Sequence, residues 1–74
     1  MNSNNSCTLI SLILPSGCTV EFVERERAYR ITCPDIYTAQ WVFNNRQSLY
    51  SVMKSGEMLR IKSQGFEQIT YPLP

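Results

Sequence analysis

Residues 18–33, CTVEFVERERAYRITC, read as a hairpin whose register decides the fold. If the chain reverses at Arg25-Glu26, Glu24 faces Arg27, Glu21 faces Arg30, Phe22 faces Tyr29, Val20 faces Ile31 and Cys18 faces Cys33. Opposite charges and apolar side chains then fall into line together. Each such cross-strand pair contributes about 0.2–1 kcal/mol, and a slip of one residue would turn every side chain to the wrong face. The turn itself has neither glycine nor asparagine, so register carries this hairpin more than turn chemistry does.

Upstream, residues 7–14 alternate, and Pro15-Ser16-Gly17 offers a hairpin loop with glycine at the left-handed position. This predicts a first strand that sets Leu12 opposite Val20, Ile10 opposite Phe22 and Leu14 opposite Cys18. The core face of the resulting three-stranded meander carries Ile10, Leu12, Leu14, Val20, Phe22, Tyr29 and Ile31. The other face carries Ser11, Thr19, Glu21, Arg30 and Thr32, but also Ala28, Ile13 and Leu9 opposite Val23. That face is too apolar to be fully solvated, so either the second half of the chain covers it or another molecule does, with Leu9/Val23 as the patch.

Downstream, Pro34 stops the strand and Asp35 is suited to cap a helix. Over 36–54, Ile36, Ala39, Val42, Phe43, Leu49, Tyr50 and Met53 fall within an arc of roughly 140° at helical spacing. Arg46 interrupts that arc, to be accommodated by snorkelling or by a glutamate. Asn44-Asn45 offers an alternative stop, after which Gln47 to Met53 would be a second helix or a strand. Gly56 suits the position just past the helix. Glu57 to Ser63 alternates as a strand, Gln64-Gly65 turns, and Phe66 to Tyr71 returns. The expected class is α+β: a small antiparallel sheet in the order β-β-β-α-β-β, with one helix packed on one face. Residues 1–6 form a flexible N-terminal segment, 7–71 the single domain and 72–74 a tail.

Composition narrows the chemistry. The chain has 74 residues, 43% of them hydrophobic and 18% charged, enough apolar content for a folded domain rather than a disordered one. Its net charge of +1 is too small to attract nucleic acid or an acidic membrane by long-range field. It has no histidine, which removes the commonest general base and every His-containing metal site. Three cysteines, Cys7, Cys18 and Cys33, fit neither a disulfide framework nor zinc-knuckle spacing, and read as reduced thiols of a cytoplasmic protein. The start of the chain lacks the basic residues of a secretory signal, and Leu9 to Leu14 is far too short to span a membrane. Gly17, Gly56 and Gly65 are isolated, so no phosphate loop can be built from them. The acids serve strand pairs, turns and a cap. Cys33 precedes a helix start but has no base beside it. The expectation is a non-enzyme without metal or cofactor.

Two binding readings remain. In the first, Trp41 lies roughly 150° from the centre of the helix's apolar arc, one turn after Tyr37, and Asn45, Ser48 and Val52 continue the line. Aromatic anchors ringed by adaptable polar groups are typical of protein interfaces. With the Leu9/Val23 patch, this predicts a small interaction module that binds a partner protein or a second copy of itself. Motif-free domains of this size are often adaptors, inhibitors or regulators, including those carried by phages and mobile elements. In the second, Arg25, Arg27, Arg30, Arg60 and Lys62 would serve a weak single-stranded nucleic-acid-binding sheet. Interleaved acids, and the placement of Phe22 and Tyr29 on the core face, count against it.

Overall fold

The hairpin forms in the expected register. In the computed structural model, which describes residues 5–54 and 56–70, strands β1 (Thr19–Val23) and β2 (Ala28–Thr32) run antiparallel. Glu21 faces Arg30, Phe22 faces Tyr29 and Val20 faces Ile31. The Phe22 and Tyr29 rings meet at 4.8 Å between centroids. The turn closes through Glu26 N–H to the Val23 carbonyl and Arg27 N–H to the Glu24 carbonyl. Arg27 takes the left-handed conformation (φ 52°) in place of a glycine.

Residues upstream of the hairpin form no strand. They build helix α1 (Asn5–Ile13), which takes in the last two residues of the expected N-terminal segment. An apolar run this short satisfies strand alternation and helical spacing equally, and leucine favours the helix. In the helical reading Cys7, Ile10, Ile13 and Leu14 turn inward to the core, while Leu12 is 76% exposed instead of buried. Leu14 N–H still bonds to the Ile10 carbonyl before Pro15 ends the helix. The expected pairing of Leu9 with Val23 across two strands therefore does not exist: Leu9 is exposed on α1.

Asp35 caps helix α2 (Ile36–Asn44) as expected, its carboxylate accepting the Thr38 N–H at 2.8 Å. That bond holds the Asp35 carboxyl below its ordinary range. The single helix 36–54 divides instead into α2 and the short α3 (Arg46–Tyr50). Asn45 makes the break, its side-chain amide and backbone N–H both bonding to the Trp41 carbonyl. Competition of this kind by asparagine is what ends helices. Arg46 donates to the Phe43 carbonyl at 3.0 Å and stacks over the Phe43 ring at 4.3 Å. The cation thus sits at the negative end of α2 rather than bare in the core or paired with a glutamate.

The chain is α+β, but the sheet is mixed and its element order is α-β-β-α-α-β-β. Strand β3 (Met58–Ser63) lies parallel to β2, and β4 (Phe66–Thr70) pairs antiparallel with β3, giving the order β1-β2-β3-β4. A helical connection between two strands is long enough for a crossover, which a parallel pair requires. Ile10, Ala39, Val42 and Leu49 from the helices pack on Tyr29, Ile31, Leu59 and Ile61 of the sheet. All three helices thus contribute to one core, on one face of the sheet. The opposite face carries Glu21, Val23, Arg30, Thr32, Arg60, Lys62, Glu67 and Ile69 by strand alternation. The expected tail, 72–74, lies outside the described residues.

Candidate binding groove

The outer surface of α2 has the character its angular pattern predicts. Asp35 fixes where the helix starts, and Ala39 and Val42 fix which side faces the core. Tyr37 and Trp41, one turn apart, are left outward, 78% and 45% exposed. Beside them runs the end of α1. Ile13, Pro15, Tyr37, Thr38 and Trp41 line an open groove of about 580 Å³. That is the size range of small-ligand and peptide-anchor sites. The walls are two aromatic rings, one aliphatic side chain and a proline, with the Thr38 hydroxyl as a polar group. The groove is therefore mainly apolar in its lining.

The rest of the predicted stripe does not join the groove. Asn45 is occupied in closing α2, Ser48 is exposed on α3 with its carbonyl accepting the Ser51 hydroxyl, and Val52 packs against the core. The helix break rotates these residues out of line with Trp41. Leu9 and Val23 sit on different elements, α1 and β1. Ile13 and Pro15 complete the groove, yet strand alternation assigned one to a sheet face and the other to a loop. The helical spacing of Cys7, Ile10, Ile13 and Leu14 was the signal that could have found Ile13.

On the open sheet face two arginines are held by carboxylates. Arg60 donates to Glu26 and to Glu67, each at 2.7 Å. These bonds, the Glu67 one foremost, raise the Arg60 pKa, and the same guanidinium lowers that of Glu67. Arg30 pairs with Glu21 at 3.8 Å. Arg25, Arg27 and Lys62 are exposed, the first two in the β1–β2 turn. Phe22 and Tyr29 belong to the helical side of the sheet. Arg30, Arg60 and Lys62 adjoin on this surface, and Glu21, Glu26 and Glu67 are set around Arg30 and Arg60.

The acid and thiol groups show no catalytic arrangement among the described residues. Glu57 is buried, and its carboxylate accepts the Lys54 N–H at 2.7 Å, closing the loop before β3. Burial raises the Cys7 pKa. Burial, and then the neighbouring Cys18, push the Cys33 thiol up to about 12. No cluster of His, Cys, Asp or Glu able to hold a metal ion occurs among the described residues. No described helix is long and apolar enough to cross a membrane. Comparison of the chain with protein-family models, curated proteins and solved structures finds no match.

Proposed function

We propose that this protein is a small, non-enzymatic interaction module of the cytoplasm, an adaptor, inhibitor or regulator that acts by binding another protein through the α1–α2 groove. The observation that carries this reading is the exposure of Tyr37 and Trp41 beside Ile13 and Pro15. A domain this small has few large aromatic side chains with which to build a core, and here the only tryptophan is half outside it. Tryptophan and tyrosine anchors dominate interface energies, and truncating one at an interface centre costs about 2 kcal/mol or more of binding. A second copy of the chain is one candidate partner.

The nucleic-acid alternative has less to support it, because Arg30 and Arg60 are already neutralised by Glu21, Glu26 and Glu67. Its signature would be oligonucleotide affinity that falls steeply with salt and weakens in Lys62→Ala.

The test uses the purified chain as bait. Proteins captured from host lysate, and the self-association seen by sedimentation, are compared among wild type, Trp41→Ala, Tyr37→Ala and the sheet-face control Lys62→Ala. A partner lost by both aromatic variants and kept by the control supports the reading. Capture unaffected by either aromatic variant, or lost only with Lys62, overturns it.

A further inference from the structure

Two thiols face each other at the end of the β1–β2 ladder, close in sequence to Pro15 of the groove and to the cap of α2. The β1–β2 register pairs Thr19 with Thr32, and extending it by one residue sets Cys18 opposite Cys33. One residue further, it sets Gly17 opposite Pro34. The strands remain together there, since a Cβ placed on Gly17 would lie 3.2 Å from Pro34 Cγ. Cys33 directs its N–H away from β1, to the Lys62 carbonyl at 2.7 Å, and Cys18 directs its own to the Pro15 carbonyl. The two residues therefore form a non-hydrogen-bonded pair of the antiparallel ladder. In such a pair the Cα atoms approach to about 4.5 Å and the side chains converge. Disulfides need a Cα separation of roughly 4.4–6.8 Å. The geometry fits, at its short end.

We propose that Cys18 and Cys33 are a reversible oxidation site, closing to a cross-strand disulfide when a low-molecular-weight disulfide of the glutathione class is the oxidant. Cys18 is the accessible member, half-buried where Cys33 is buried. Its thiolate attacks one sulfur of the oxidant and expels one small thiolate, giving a mixed disulfide. Cys33 then loses its proton to solvent and attacks Cys18 Sγ, expelling the second small thiolate. The protein gives up two electrons and two protons, and the oxidant becomes two thiols. Burial of Cys33 keeps thiolate scarce at neutral pH, so the second step accelerates as pH rises. A small thiolate attacking either sulfur reopens the bond by the reverse of these two steps. This is a bond that opens again when the load is removed.

Its position gives it a consequence. Cys18 follows Pro15, one wall of the groove, and Cys33 precedes Pro34 and the Asp35 cap of α2, which carries the other wall. Closing the bond fastens the two walls together at their bases. This consequence rests on the groove reading, whereas formation of the bond does not.

The experiment treats the folded protein with oxidised glutathione, then alkylates and maps the remaining thiols by mass spectrometry. Three free thiols should fall to one, with Cys7 still reactive, in a monomer. Cys7→Ala should oxidise as wild type does, and Cys18→Ala should form no intramolecular bond. Reduction should restore all three thiols. Hydrogen exchange at the bonded amides of Cys18, Cys33 and Thr38 should slow about tenfold or more on oxidation, because closing a loop of about 15 residues restrains the unfolded chain. A bond involving Cys7, an intermolecular product, or no loss of thiols overturns the proposal. Exchange unchanged in the oxidised protein removes the clamp. Thiol mapping needs no partner, so its failure is distinct from failure of the groove to bind.

Discussion

The molecule has two exposed surfaces of opposite logic. On the open face of the sheet, charged residues crowd together, and the chain neutralises Arg30 and Arg60 itself. Arg30 and Arg60 are neighbours in the β2–β3 pairing, a juxtaposition of like charges that Glu21, Glu26 and Glu67 offset from three sides. On the helical side, among the described residues, Tyr37 is mostly exposed and Trp41 nearly half exposed. The lesson is where unsatisfied surface remains. The sheet face has satisfied its strongest interactions internally, and the groove leaves apolar area exposed, which is the basis of the proposed binding role.

The largest expected effect separates core from groove. Ile31 is fully buried between the two surfaces, so Ile31→Ala should lose about 2–5 kcal/mol of stability in urea unfolding. Trp41→Ala, removing a larger but half-exposed side chain, should lose less than Ile31→Ala does, about 2 kcal/mol. Equal losses would place Trp41 in the core and dissolve the comparison.

Next comes the sheet's central cation. Arg60 holds the Glu67 carboxyl below its ordinary range, so this pair contributes stability at pH values above the unfolded carboxyl pKa. The contribution is lost as pH falls through the lower, folded pKa. Arg60→Met should therefore unfold more readily at neutral pH. Its stability should also fall less steeply than wild type under acid, so that the two curves converge at low pH. Parallel curves would mean that Arg60 acts through packing alone.

The smallest effect is the outer pair. Glu21 and Arg30 are more than a third exposed and 3.8 Å apart. A double-mutant cycle of Glu21→Lys and Arg30→Glu should give a coupling of about 0.5 kcal/mol or less, with the charge swap partly restoring the loss. Strict additivity would remove the pair from the account.

How much of this was legible in the sequence follows from how local each decision is. The β1–β2 register was readable because charge and apolar matches agree on one alignment, and no slip satisfies them all. The Asp35 cap, the Gln64-Gly65 turn and the alternation of the last two strands were readable for the same reason: each depends on a few adjacent residues. Residues 5–13 were not. A run as short as Leu9 to Leu14 meets both periodicities, and only packing on the far side of β1 chooses the helix. The parallel pairing of β2 with β3 was hidden because alternation is identical in either direction, and Arg30 beside Arg60 contradicts every pairwise preference. The groove was half legible. Tyr37 and Trp41 emerge from helical angles alone, whereas Ile13 and Pro15 depend on α1 being a helix, and Asn45, Ser48 and Val52 depended on α2 not ending at Asn44.

On the proposed function, the aromatic face of α2 is open in the free protein and covered in its complex. Trp41 is the chain's only tryptophan, so collisional quenching of its fluorescence by acrylamide reports on that face directly. Measured on the free monomer and again on the complex recovered by capture or self-association, emission should be red-shifted and readily quenched in the first, then blue-shifted and shielded in the second. Emission already blue-shifted and shielded in the free monomer, or equally quenchable in both states, would contradict the claim.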